Sequence, residues 1–216
     1  DGRAVLTQFM RDTRRLADAA AKRFGHPVRI NVRVPTHPEE ALYAGMDIFQ
    51  WIAEGLVDMI TPSPYFSTSD AMLPIELWKR LLRPGMVLAP CLECQVSSGL
   101  CAPLPANSRL DAGLASSYYH RGADAIYLFN HMMRFSGYGD INEQREMFTR
   151  MSGRAVVERL PRRHPATFRE CIVEGMPGAS PLPTAIYPGV CTPVRLNVGG
   201  AAGGRAARVI LASAPG

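Results

Sequence analysis

The sequence predicts an α/β fold in which four short strands alternate with helices. Segments with alternating apolar and polar residues are separated each time by a segment with helical periodicity. Each connection is therefore long enough to be a helical crossover, which is typical of parallel strands. Four such units are half of an eight-stranded barrel, and we expect that half-barrel over residues 1–160.

Helices are predicted where apolar residues recur every three or four positions. They cover residues 6–23, 38–44, 48–54, 74–82, 108–121 and 141–150. Gly45 separates the second helix from the third, and the carboxylate of Asp47 is suited to cap the third. Trp51 and Trp78 lie within helices that face apolar partners, so both are predicted to be core residues.

Strands are predicted at residues 28–34, 56–63, 84–93 and 122–130. In the third, Val87, Ala89, Cys91 and Glu93 share one face, which we expect to line the inside of a barrel. Glu93 ends this strand at its carboxyl end, where parallel α/β folds carry their chemistry.

The composition changes after about residue 161, where prolines become frequent. Residues 194–198 and 207–212 alternate as two strands around a glycine-rich turn, which predicts the start of a β module over residues 161–216. We therefore expect two domains. Because half a barrel leaves sheet edges and an apolar interior open, we also expect a missing N-terminal half as a partner.

The net charge of +5 and the cysteines narrow the function classes. The basic residues are scattered rather than clustered, so no nucleic-acid partner is expected, and no apolar run reaches membrane-spanning length. Cys91 and Cys94 are spaced like a redox or zinc pair, but no second pair lies near, and buried structural thiols are the alternative we favour. No nucleotide-binding motif is present, and no cofactor is expected. No signal peptide is visible, and the compartment stays open.

Several segments together resemble a known family. They are Arg33-Val-Pro35, Ala44-Gly-Met-Asp-Ile48, Glu54-Gly-Leu-Val-Asp58 and Gly122-Ala-Asp-Ala-Ile-Tyr-Leu-Phe-Asn130. They resemble the C-terminal half of the (β/α)8 TIM barrels of bacterial glycosyl-hydrolase-like proteins (family 10 glycosylhydrolase-like), in which a partial β-sandwich segment follows the barrel. The resemblance covers about residues 1–215, and Ala125 stands where that family usually has Gly.

The resemblance implies a glycoside hydrolase acting on a polysaccharide or glycoconjugate. It makes the Glu93 strand the seventh of the barrel, where retaining glycosidases carry their nucleophile. Such an enzyme needs a second carboxyl, which would lie upstream of Asp1. The alternative is a non-catalytic carbohydrate-binding barrel that has lost one carboxylate.

Five residues are the predicted site. Glu93 is the catalytic candidate, with a surface salt bridge as its alternative. Arg33 is predicted to clamp a hydroxyl or carboxylate, or else to form an interior salt bridge. Tyr65 is predicted to stack on a sugar ring, or else to pack as a rim loop. Asn130 and His131 are predicted to bind substrate hydroxyls, with a turn-forming Asn and a solvent-facing His as the alternatives.

Overall fold

A computed structural model of the chain has helices and short strands within residues 2–157. The structure describes residues 2–65, 68–98, 102–132, 137–169, 182–200 and 208–209. The helices of these residues are α1 (Gly2–Phe24), α2 (Pro38–Tyr43), α3 (Ile48–Glu54), α4 (Ile75–Leu81), α5 (Ser108–His120), α6 (Ile141–Arg150) and α7 (Arg154–Val157). The strands are β1 (Asn31–Pro35), β2 (Met59–Ser63), β3 (Val87–Leu88), β4 (Cys91–Leu92), β5 (Gln95–Val96), β6 (Leu104–Pro105) and β7 (Tyr127–Leu128).

The first strands pair in parallel and in chain order. Strands β1, β2 and β3 form one sheet, and β4 pairs with β7 in a second. The Ala89 amide donates to the Ile60 carbonyl and the Tyr127 amide donates to the Pro90 carbonyl, both at 3.0 Å. The residues between β3 and β4 therefore connect the two sheets. The predicted parallel pairing is therefore confirmed, and the carboxyl ends of these strands point toward one edge.

The prediction of the C-terminal half of a TIM barrel is wrong. The sheets hold two or three strands of two to five residues, and no closed barrel is present among the described residues. Pro90 has no N–H to donate, and the predicted strand over residues 84–93 is reduced to the two-residue strands β3 and β4. No described strand pairs with the outer edge of β1 or β7, so the arrangement stays open.

The predicted partial β-sandwich segment is also wrong. Residues 194–198 form no strand, and Val194 is 45% exposed although the pattern predicts an apolar inner face. Instead the polar side chain of Asn197 turns inward and donates to the Ala71 carbonyl at 3.1 Å. Alternation alone does not supply a neighbouring strand, and without one the backbone has no ladder to join. Most of the predicted strand at 207–212 lies outside the described residues.

The predicted helices are confirmed, with bounds shifted by a few residues. Asp47 caps α3 as expected, since its side chain accepts a hydrogen bond from the Gln50 amide. Trp51 and Trp78 are core residues, exposed by only 3% and 0%. The indole N–H of Trp51 donates to Thr7 on α1, which fastens this helix to α3. Within the described ranges, no helix combines the length and apolar character that crossing a bilayer requires.

Three features were not predicted, and one of them is the short helix α7. Strands β5 and β6 form a short antiparallel pair in the stretch after Glu93, where the composition suggests only a loop. Residues after 160 pack along α5, where the Arg163 amide donates to the Arg109 carbonyl at 2.9 Å. The division into two domains at about residue 161 stays a prediction.

Candidate functional site

The predicted site residues lie at the carboxyl ends of the parallel strands. Arg33 is in β1, Ser63 ends β2, Glu93 directly follows β4, and His131 lies three residues beyond β7. Parallel strands place these ends along one edge of the sheet. These positions do not depend on a closed barrel, and the assignment of the five residues to one site stays a prediction.

Glu93 is completely buried at this edge. Its backbone is fixed by Ser69, because the Glu93 amide donates to Ser69 Oγ at 2.8 Å and that hydroxyl donates back to the Glu93 carbonyl. The Cys94 amide donates to Glu93 Oε2 at 3.2 Å. The other carboxylate oxygen, Oε1, is buried and has no hydrogen-bond partner among the described residues. A surface salt bridge, the alternative for Glu93, is therefore excluded.

Burial raises the pKa of Glu93, because a charged carboxylate is poorly solvated in this position. The Cys94 amide and the positive charges of Arg33 and His131 oppose this shift without cancelling it. The carboxyl therefore holds its proton to a higher pH than an exposed Glu does. A carboxyl with a raised pKa is suited to act as a general acid.

Arg33 is held by neutral groups. Its Nε donates to Ser63 Oγ at 2.7 Å and its Nη2 donates to the Pro64 carbonyl at 3.1 Å. The guanidinium lies over the ring of Phe129, with Cζ 3.7 Å from the ring centroid. Both the fork of hydrogen bonds and the aromatic face fix the cation in one orientation.

His131 is buried, and its solvent-facing alternative is wrong. Its side chain is 3% exposed and lies between two acceptors. Nδ1 is 3.0 Å from the Phe129 carbonyl, and Nε2 is 3.2 Å from Asp111 Oδ2. The hydroxyl of Tyr138 donates to the same carboxylate oxygen at 2.5 Å. We call His131, Asp111 and Tyr138 the histidine network.

The histidine network keeps a proton on the imidazole. Burial alone would lower the pKa of His131, but the hydrogen bond and the charge of Asp111 outweigh it, and the net shift is upward. Burial and the same carboxylate raise the pKa of Tyr138, so its hydroxyl remains a donor. The network thus favours the charged form of His131, whose ring lies against the Asp111 carboxylate.

Tyr65 and Asn130 border the same edge. Tyr65 is 66% exposed, and its carbonyl accepts a 3.4 Å hydrogen bond from Arg33. Asn130 has a left-handed backbone with φ of 58°, which is common for a turn-forming Asn. Its side chain makes no hydrogen bond with the described residues, and the amide is available to a ligand. Phe66, which is expected to stack on a sugar ring together with its neighbour Tyr65, lies outside the described residues.

The two cysteines of this edge are unreactive thiols. Cys91 is buried, and burial raises its pKa to about 12. Burial, followed by the charge of Glu93, raises the pKa of Cys94 as well. A nucleophilic cysteine needs a lowered pKa, so neither has that role. Nor does any group of three or more His, Cys, Asp or Glu residues suited to a metal ion occur in the described part of the chain.

Sequence reasoning missed Asp111, Tyr138, Ser69 and Phe129. Asp111 lies in the first turn of α5, where an acidic residue normally faces solvent and favours the helix dipole. It is instead completely buried, as is almost all of α5. The apolar residues around Asp111 were a usable signal, because a helix that is apolar on all sides buries its charged residue too.

No protein-family model matches the chain, and no curated protein sequence matches it. The resemblance to bacterial glycosylhydrolase-like proteins therefore depends on the quoted segments alone and stays a prediction. The site is a buried carboxyl with a raised pKa at the ends of parallel strands, and Arg33 and His131 act on it by their charge.

Proposed function

We propose that this chain carries the acid–base site of a glycoside hydrolase, with Glu93 as the proton donor. The observation that carries the proposal is the buried Oε1 of Glu93, which no described group satisfies. A buried polar atom without a partner is unfavourable unless a ligand uses it. A glycosidic oxygen is a suitable partner, because it accepts a proton as the bond breaks.

The neighbours of Glu93 support this assignment. Burial holds the proton on the carboxyl, which is the state that a general acid needs before reaction. Asn130 offers an amide for sugar hydroxyls, and the exposed ring of Tyr65 offers a stacking face. Glycoside hydrolysis uses two carboxyls, and Asp111 is also buried here. Because Asp111 is held by His131 and Tyr138, we assign it to positioning His131.

The proposal is tested by Glu93→Gln on a panel of chromogenic glycosides. Gln cannot donate a carboxyl proton, and we expect kcat/KM to fall at least about 100-fold, the scale for loss of an essential acid. Wild-type activity should fall as pH rises through the pKa of Glu93, and the residual activity of Glu93→Gln should lack this limb. Glu146→Gln, the same exchange on the exposed part of α6, should leave activity unchanged.

Thermal unfolding separates a chemical effect from a structural one. Gln is close to Glu in size and can keep the hydrogen bond from the Cys94 amide, so we expect the melting temperature to change little. Full activity of Glu93→Gln on a glycoside that the wild type cleaves would exclude the proposal. Saccharide binding without cleavage of any glycoside would favour the non-catalytic carbohydrate-binding protein.

A further inference from the structure

Arg33 keeps one donor group unused in an otherwise complete set of contacts. Nε and Nη2 donate to the Ser63 hydroxyl and to the Pro64 and Tyr65 carbonyls. Nη1 makes no hydrogen bond with the described residues. The side chain is held on Phe129 and is half-buried, so this free donor is presented in a fixed direction.

No carboxylate in the described residues lies within ion-pair distance of Arg33. The nearby charged groups do not supply a counter-charge for Arg33 either. Asp111 is paired with the imidazolium of His131, and together they are neutral. Glu93 makes no hydrogen bond with Arg33, and burial favours its uncharged form. The strand-end site therefore has one uncompensated positive charge when Glu93 is protonated.

We propose that Arg33 binds an anionic group of the substrate, so that the site selects an acidic saccharide over a neutral one. This inference rests on the proposed function, since it names the substrate class of the same site. The chemistry is one anionic oxygen accepting from Nη1 of a preoriented guanidinium. A uronic acid carboxylate and a sulfate ester both supply that oxygen.

The competing role for Arg33 is to counter the charge of ionised Glu93. That role predicts that removing Arg33 affects neutral and acidic ligands alike, because it acts through Glu93. An anion-binding role predicts that only acidic ligands are affected. Comparing the two ligand types in one variant therefore separates the roles.

The experiment measures binding of methyl glucuronide, glucose 6-sulfate and methyl glucoside to the full chain by calorimetry. We expect the wild type to bind at least one of the two acidic ligands about tenfold or more tightly than methyl glucoside, since a charge-assisted hydrogen bond is worth about that factor. Which acidic ligand binds better distinguishes a carboxylate source from a sulfate source. Arg33→Gln should abolish the preference while keeping the affinity for methyl glucoside.

Arg29→Gln is the matched control. Arg29 is exposed and lies just before the first residue of β1, and its loss changes the net charge by the same amount as the loss of Arg33. This variant should retain the preference. If Arg33→Gln does not fold, Arg33→Lys keeps the charge and should still favour the acidic ligand. Equal wild-type affinity for acidic and neutral ligands, no binding of any of them, or loss of preference in Arg29→Gln would each overturn the inference. Because binding is measured without turnover, these outcomes leave the test of Glu93 independent.

Discussion

His131 faces only hydrogen-bond acceptors, and this decides its charge. The Phe129 carbonyl accepts from Nδ1 and the Asp111 carboxylate accepts from Nε2. An imidazole with both nitrogens donating is an imidazolium. The other ionisable groups facing it are Glu93, which also raises the pKa of His131, and Tyr138, whose hydroxyl donates to Asp111. On α6, Glu143 acts on Tyr138 by its charge alone.

We therefore predict that Asp111→Asn lowers the pKa of His131, because burial then acts without the opposing carboxylate. The loss of the imidazolium removes a charge that lowers the pKa of Glu93, so the high-pH limb of activity should move to higher pH. Imidazole nitrogen shifts measured by NMR during a pH titration report His131 directly. They do so whether or not a substrate is known.

Tyr138→Phe is the control for this titration, because it removes a hydrogen bond to Asp111 but leaves the carboxylate charge in place. His131 should remain protonated in that variant. The same shift affects stability. A raised folded-state pKa contributes stability below the unfolded value of about 6.5, and this is lost as pH rises through the folded value. The stability of Asp111→Asn should not show this loss as pH rises. If the pKa of His131 were the same in Asp111→Asn as in the wild type, the histidine network would be contradicted.

At the scale of single elements, α5 is buried over most of its length. Residues 110–119 are all buried, and Gly113 lies among them. A Cβ at Gly113 would overlap the carbonyl of Arg163 and lie 3.2 Å from the His164 amide. The chain after residue 160 therefore approaches the backbone of α5 more closely than any side chain would allow.

We predict that Gly113→Ala destabilises the protein by about 1–3 kcal/mol, the scale of overpacking against backbone. Ala would otherwise favour the helix by about 1 kcal/mol, so the sign of the change tests the contact. Gly153→Ala is the control, since no atom lies within 4 Å of its Cβ position. It should stay within about 0.5 kcal/mol. Urea unfolding measures both. If Gly113→Ala were as stable as the wild type, residues 163–164 would not pack on α5 in solution.

The elements were predictable from sequence to the extent that their cause is local. Helix periodicity, the cap at Asp47 and the strand-end positions of Arg33 and Glu93 are properties of neighbouring residues. The break in the strand at Pro90 also has a local cause. The prediction gave more weight to the alternation of the neighbouring residues than to the missing N–H of Pro90. Barrel closure is not local, because it depends on which strands meet at the sheet edges.

The site was predictable only in part, for the same reason. The strand pattern places Glu93 at a carboxyl end, but it does not show that the side chain is fully buried or that Ser69 fixes its backbone. Asp111 contacts His131 across 20 residues of sequence, and Tyr138 contacts Asp111 across 27. A pattern read over a few residues carries no information on such contacts.

At the scale of the whole molecule, the described residues after 160 form no strand and are attached through polar contacts. The Ala71 amide donates to Thr167 at 3.0 Å, and Asn197 donates to the Ala71 carbonyl. Arg169 forms an ion pair with Glu40 on α2 at 2.6 Å, across 129 residues of sequence. The two side chains are 10% and 1% exposed.

We predict that Arg169→Met destabilises the protein by about 3–5 kcal/mol, because it leaves the Glu40 carboxylate buried without this partner. The pair itself contributes much less than that, since desolvating both charges offsets most of their attraction. The double variant Glu40→Gln with Arg169→Met should therefore recover most of the loss. Urea unfolding at neutral pH, followed by both tryptophan fluorescence and circular dichroism, measures the three variants. If Arg169→Met instead unfolds within about 0.5 kcal/mol of the wild type, the segment after residue 160 is not held to α2 in solution.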